Sequence, residues 1–314
     1  MARPPDPLLK ADDDAARSEA DVTPTSPLRR LAREPVVLLG ALVLVAIVAI
    51  GAAAPWLTPF DPAQIAPASR NLVTAATETV RADDGSQHVV RHWMGTDSLG
   101  RDVASRVFYG VRVSLFVGLA VSAIAIAIGV AVGVVAGYFR RLDNPIMRVM
   151  DGLMAIPAIL LAIALVSVST AGVAAVIVAI VVPEVPRVVR LVRAVVLAVR
   201  QEPYVEAAIA AGTPTPALIT RHILPATWSP LIVQATYICA TAILVEAILS
   251  FLGVGIPPQT PTWGNIMAEG RTLFRVYPHG VLWAGLFVAL TVLAINLVGD
   301  ALRDTLDPRS RRNL

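Results

Sequence analysis

GLMAIPAILLAIALVSVSTAGVAAVIVAIVV, residues 152–182, runs for thirty-one residues without a charge between Asp151 and Pro183. Its reading decides the fold. As one helix it would be about 46 Å long, far more than a hydrocarbon core of about 30 Å accepts even with tilt. As two helices it turns near Ser169, Thr170, Ala171 and Gly172, and the second helix continues past Pro183 and Pro186 towards Leu197. Charge settles the choice. Two helices put Arg187, Arg190, Arg193, Arg200 and Arg221 on the same side as the basic N-terminal tail, whereas one helix puts them opposite. Basic residues concentrate on the side of a membrane from which the chain is not translocated, so the run is read as two crossings.

Working outward, residues 113–137 are uncharged and form the span before it, with Arg140, Arg141 and Arg148 after that span. Further upstream, residues 36–54 form a nineteen-residue uncharged run, long enough for a first span within 36–57. A signal peptide ending at Ala52, Ala53 and Ala54 is the alternative. Residues 1–35 hold seven acids against six bases, a poor basic leader, so an uncleaved anchor behind a cytoplasmic tail is expected. Downstream, residues 231–250 are interrupted only by Glu246, and residues 281–299 form the last span before an arginine-rich tail at 303–314. Six spans put both termini on one face. That face carries eighteen of the twenty-six Lys and Arg residues and is read as cytoplasmic.

Composition agrees with a bilayer as solvent. Hydrophobic residues make up 56% of the 314 and charged residues only 16%, too few to cover the surface of a soluble domain. The net charge of +3 does not point to nucleic acid, because the arginines sit in short clusters between apolar runs. The expected architecture is therefore an all-α membrane protein of six transmembrane helices with both termini cytoplasmic. Residues 58–112 form an extracytoplasmic loop, and residues 113–302 a five-helix core. Within the loop, Leu99, Val103, Val107 and Val111 recur every fourth residue, opposite Arg101, Asp102, Ser105 and Arg106. That pattern predicts a short amphipathic helix, capped by Thr96 or Asp97, lying in the interface or folded against the protein's own loops.

Little here can carry covalent chemistry. A phosphate-binding loop of the form G-x-x-x-x-G-K-[ST] needs a lysine. The only lysine, Lys10, lies between Leu9 and Ala11. The histidines His88, His92, His222 and His279 make no H-E-x-x-H pattern, and Cys239 stands alone in an apolar run. A membrane-embedded enzyme would need polar groups converging at one depth, and the spans are nearly devoid of them. An ion-coupled transporter would show several intramembrane carboxylates or helices broken at mid-membrane. In the assigned spans, Glu246 is the one carboxylate.

The most informative polar stretch is residues 202–225, EPYVEAAIAAGTPTPALITRHILP. Residues 202–211 favour a helix with Pro203 in its first turn, and Gly212 supplies the left-handed position that ends it. Thr213 as N-cap and Pro214 as first residue begin a second helix running to Leu224, which Pro225 ends. Such a helix–glycine–helix hairpin is too short to bury a core and needs a partner surface.

These residues resemble a known signature. Glu206-Ala207-Ala208, Gly212 and Leu224-Pro225 match E-A-A-x-x-x-G-x₉-I-x-L-P of the inner-membrane permeases of bacterial ABC importers, with His222 at the isoleucine position. The run R-H-I-L-P is similar to the dipeptide/oligopeptide/nickel subfamily. So are HWMGTDSLGRDVASRVFYGVRVSL at 92–115, AILSFLGVGIPPQTPTWGNIMAEGR at 247–271 and GDALRDTLDPR at 299–309, which resemble its C-type subunit. The resemblance covers roughly residues 33–309. It implies the type I ABC importer permease fold and a complex with a second homologous permease, two ATPase subunits and an extracytoplasmic solute-binding protein. It implies no cofactor on this chain, ATP and magnesium on the ATPase partners, and peptide as cargo, with nickel or glutathione as alternatives. Glu206, Ala207, Ala208, Gly212, His222, Leu224 and Pro225 would form the ATPase-coupling element.

Two intramembrane polar residues remain. Glu246 is costly in hydrocarbon and is expected to pair with Arg271 or Arg275. Asn296 is expected to hydrogen-bond between helices. Cysteine labelling from each side of the membrane tests the topology. Residues 75, 90 and 265 should react from outside, and 145, 210 and 310 from inside. Labelling of 145 and 210 from opposite faces would remove the two-helix reading of 152–182.

Overall fold

The computed structural model describes residues 35–81 and 87–306. Helix α1, Pro35–Leu57, opens with a proline in its first turn and is apolar all round. Gly40, Ile47, Gly51 and Ala54 are buried and Val43, Leu44 and Ile50 pack beside them, so the opposite surface is left for lipid or another subunit. A loop and the antiparallel pair β1, Ala76–Arg81, and β2, Gln87–His92, follow. This hairpin corrects the all-α expectation. Its alternation of Thr, Glu and Val was there to be read as a strand pattern.

Helix α2, Val103–Tyr138, is continuous for 36 residues. At about 54 Å it exceeds the hydrocarbon core by more than 20 Å. The expected separate amphipathic helix is thus the first turns of the second span. Asp102, not Thr96 or Asp97, caps it, accepting from Ser105 N at 2.7 Å. No proline interrupts the stretch, and its polar side folds against the protein's own loops, where Arg101, Asp102, Ser105 and Arg106 are all buried.

After Phe139 the chain forms α3, Arg140–Met154, then bends by 88° into α4, Ala158–Val168. The bend corrects the expectation of one third span starting at Gly152. Pro157 biases Ile156 away from helical geometry and splits the segment there. Eleven residues of α4 reach only about 16 Å. The turn at residues 169–172 falls where the sequence placed it, and α5, Val173–Val199, carries Pro183 and Pro186 inside it. Four short elements between 203 and 227 lead to α8, Trp228–Phe251; α9, Trp263–Gly270, and α10, His279–Leu306, complete the described residues. Among the described residues, four helical segments are long and apolar enough to cross a membrane, or five if the bent pair α3–α4 counts as one. Helix α5 falls outside that group because Glu184, Arg187 and Arg190 lie within eighteen residues of its start.

Two apolar clusters hold these helices. One joins the second half of α2 to α4, α5, the 203–225 segment and α8; the other joins α1, the start of α2, α8, α9 and α10. The densest contact is α2 on α5. Gly129, Gly133 and Gly137 of α2 face Val188, Val192 and Val196 of α5, and a Cβ on each glycine would lie 2.4 to 2.7 Å from the opposing valine. Both series repeat every fourth residue, so the backbones close along one ridge, as small residues permit in membranes.

Overpacking that ridge should destabilise the chain. Gly133→Leu is expected to cost about 1–3 kcal/mol or more and to lower the thermal midpoint of the detergent-solubilised protein. Gly280→Leu, where a Cβ meets nothing within 4 Å, is expected to leave it unchanged. Equal midpoints for the two variants would show that the ridge is not a tight interface.

Candidate functional site

The segment after α5 folds as a helical hairpin. Helix α6, Pro203–Ala210, begins with Pro203 at its first position and ends in a Schellman turn. Thr213 N donates to Ala208 O at 3.1 Å, and Gly212 N to Ile209 O at 2.9 Å. Gly212 has φ +79°, the left-handed geometry expected of it. The second arm departs from expectation. Pro214 occupies the cap position and α7, Thr215–Leu218, starts there. A π turn at Ile219–Ile223 and a 3-10 turn at Leu224–Thr227 then run directly into α8. Pro225 therefore does not end the arm. Its missing N–H and its ring disturb the helical ladder at Arg221, and the change of helical pitch absorbs that disturbance.

Val205, Leu218 and Ile223 are buried and fasten the hairpin to the helical core, with Ala208 and Leu224 partly buried beside them. Glu206, Ala207, Gly212 and Pro225 are exposed, and His222 is half-buried, its carbonyl accepting from the Tyr204 hydroxyl at 3.3 Å. The segment thus has an anchored face and an open one made largely of small side chains. Tyr204 and Ile209, about half exposed, also stand on the open surface. Sequence reasoning missed them, although exposed apolar residues on a polar loop are a readable signal of a partner. At the root, Arg200 donates to Tyr138 O at 3.1 Å and lies over the Tyr138 ring, tying the end of α5 to the end of α2.

A second cluster sits at the start of α2. Asp97 Oδ2 receives Arg101 Nε at 2.7 Å and Arg106 Nη1 at 2.8 Å, and both guanidiniums also bond Glu269 of α9. Arg106 is 1% exposed. His92 of β2 stacks on Phe60, and its Nδ1 lies 2.8 Å from Asp102 Oδ1. Trp263 Nε1 donates to Val107 O at 3.1 Å, and Asn265 Nδ2 donates to the carbonyls of Ile256, Pro257 and Thr260. The stretches 92–115 and 247–271 are therefore one interlocked cap. Removing one member of such a buried ion network leaves a charge unpaired, at roughly 3–5 kcal/mol.

Glu246 is fully buried, but neither Arg271 nor Arg275 reaches it. Ser250 Oγ donates to it at 2.8 Å and Ser114 Oγ at 3.4 Å. Arg271 instead donates to Phe251 O and lies over the Phe251 ring, because the 3-10 turn Arg271–Leu273 lies beyond the end of α9. Asn296 corrects the other expectation: it is exposed on α10, with no bond to another helix among the described residues. The sequence also gave no warning of how the α5 arginines pair. Arg187 bonds Glu184 at 3.0 Å, Arg190 bonds Asp151 at 2.7 Å, and Arg193 bonds Asp143. The Arg193 guanidinium holds the Asp143 carboxyl below the usual carboxylate range.

Comparison with known proteins places this arrangement. Residues 99–312 match the model of the binding-protein-dependent transport system inner membrane component family, and residues 27–73 match the N-terminal transmembrane domain of oligopeptide transport permease C. A probable peptide ABC transporter permease of Sinorhizobium fredii is 48% identical over 280 residues, 89% of this chain and 91% of the relative. A di/tripeptide transport system permease of Pseudomonas aeruginosa is 38% identical over 306 residues, 96% of this chain and 98% of the relative. A glutathione transport system permease of Escherichia coli is 39% identical over 282 residues, 90% and 89% of the two chains. Among solved structures, an inward-facing methionine ABC transporter, MetNI, aligns with TM-score 0.53 at 20% identity, over 64% of this chain and 96% of that one, which shows a shared fold. The chain belongs to the family of binding-protein-dependent transport system inner membrane components, multi-pass permease subunits of ABC importers that are not themselves enzymes.

Proposed function

We propose that this permease carries small peptides inward across the bacterial inner membrane, driven by ATP hydrolysis on two ATPase subunits, one of them seated on the 203–225 hairpin. The observation that carries the proposal is the hairpin's two-faced construction. Val205, Leu218 and Ile223 fix it to the core, while Glu206, Ala207 and Gly212 leave an open surface that another protein backbone can approach closely. Its root is joined to α5 and α2, so force applied there reaches two long helices at once. The relatives named above carry peptides, di/tripeptides and glutathione, all small molecules with amide bonds and a free carboxylate, which favours that cargo class over nickel.

The remaining parts of the reading follow. Six crossings, with α4 and the uncharged residues that flank it serving as the third and α5 as the fourth, put both termini in the cytoplasm, supported by the distribution of basic residues. The pairing of Arg187, Arg190 and Arg193 with acids lowers the cost of carrying them towards the membrane boundary. A second homologous permease covers the exposed apolar faces of α1 and α10, with Asn296 available to it. A solute-binding protein delivers cargo at the cap. ATP and magnesium stay on the ATPase partners, since this chain has no phosphate loop.

The experiment combines assembly and hydrolysis. The purified chain alone should hydrolyse no ATP, and substrate-stimulated hydrolysis should appear with the ATPase subunits. A Cβ at Gly212 would meet no atom within 4 Å, so the effect of Gly212→Val comes from backbone strain at φ +79°, about 1–2 kcal/mol. It should redirect the hairpin and uncouple hydrolysis from uptake. Glu206→Lys should reduce co-purification of the ATPases. Normal assembly and uptake in both variants would contradict the proposal.

A further inference from the structure

Helix α3 carries exposed surface that the transport reading leaves without a role. Its neighbours on both sides are apolar helices, and the links are short: Phe139 alone to α2, and residues 155–157 to α4. The helix therefore stays at the level where the chain leaves and re-enters hydrocarbon. Its direction follows from its ion pairs. Asp143 and Asp151 lie about 12 Å apart along α3, yet they bond Arg193 and Arg190, which are only about 4.5 Å apart along α5. Helix α3 thus runs steeply across α5 rather than alongside it. The 88° bend into α4 agrees, leaving α3 roughly in the membrane plane if α4 enters along the normal.

Three strips divide the helix at about 100° per residue. Ile146, Met147 and Met150 pack on the core between the two paired aspartates. About a quarter turn away, Leu142 and Val149 are exposed at 46% and 59%. A further quarter turn brings Arg141 and Arg148, both exposed. The acidic residues of α3 are Asp143 and Asp151, and both are committed to α5, so the basic strip has no acid on its own helix. Gly152 continues that strip, with nothing within 4 Å of the position its Cβ would take.

We infer that α3 is an interfacial anchor for anionic phospholipid of the inner leaflet. Leu142 and Val149 enter the acyl boundary, and Arg141 and Arg148, about 10.5 Å apart along the helix, hold headgroup phosphates beside them. An apolar strip flanked by arginines, fixed at the interface by membrane helices at both ends, is the chemistry that such a surface recognises. The alternative occupant is an ATPase subunit, which the test separates. The assignment to the inner leaflet rests on the proposed cytoplasmic side of these arginines.

The test uses nanodiscs of phosphatidylcholine alone or of an equimolar mixture with phosphatidylglycerol. They contain either this chain or its complex with the ATPases and second permease. Bound phosphatidylglycerol is counted by native mass spectrometry, and ATPase subunits by co-purification. The wild-type chain should retain phosphatidylglycerol. Arg141→Gln with Arg148→Gln should reduce retention by roughly fivefold per arginine, leaving ATPase co-purification intact, and the double lysine variant should keep most of it. Equal retention by the wild type and the double glutamine variant would overturn the inference. So would loss of the ATPases with retention unchanged, which would assign the strip to them. Failure of the complex to assemble in any form would count against the transport reading, while retention by the chain alone would still decide this one.

Discussion

The close contact between α2 and α5 is the constraint on which the rest of the molecule depends. A helix about 54 Å long would be a poor lever if it were free to slide or roll on its neighbours. Gly129, Gly133 and Gly137 prevent that by admitting Val188, Val192 and Val196 to within van der Waals distance of the α2 backbone. In hydrocarbon there is no hydrophobic drive between helices, so such surface matching supplies most of the association energy. Arg200 closes the pair at the hairpin end by donating to Tyr138 O. The two helices act as one body. The hairpin that continues from α5 is therefore connected to the start of α2, at the other end of the molecule, without any soft link.

At that other end, charge replaces close packing. Arg101 and Arg106 share Asp97 and Glu269, which binds the first turn of α2 to α9 and so to α10. Burying two guanidiniums is expensive unless every partner is in place. The network therefore favours the one register in which Asp97, Arg101, Arg106 and Glu269 meet. Glu246 works in another way, held by the hydroxyls of Ser114 and Ser250 between α2 and α8. With a ridge of glycines along its length and a charged clasp at its end, α2, like α8, is a member of both apolar clusters.

Much of this was legible in the sequence, for identifiable reasons. Uncharged runs and proline or glycine punctuation are local signals, and they located the turn at 169–172 and the left-handed Gly212. Side-chain partners are not local. Arg101 and Arg106 looked like the polar face of an interface helix because Glu269 lies far away in sequence. Glu246 was assigned a cation from its charge and its place near the outer end of the span, whereas hydroxyls, those of Ser114 and Ser250 among them, bond it. The division at Pro157 was missed because residues 152–154 are as apolar as those that follow, although Pro157 disfavours helix at Ile156 and the α5 arginines hold Asp143 and Asp151 of α3. The hairpin's second arm was expected to stop at Pro225, but a π turn carried the chain through. Length and hydropathy indicate where helices can be. Which of them stay continuous is decided by neighbours that the pattern does not contain.

The central claim is that Glu206, Ala207 and Gly212 form the surface through which an ATPase subunit drives this permease. The most direct measurement is site-specific photo-crosslinking in the assembled importer, with the reactive group placed at Ala207 on the open face of the hairpin and, for comparison, at Ala76 in the cap. The account predicts a crosslink from Ala207 to an ATPase subunit, altered in yield when ATP is bound, and none from Ala76 to that subunit. Assembly of an active importer in which Ala207 reaches no ATPase, or in which Ala76 does, would contradict it.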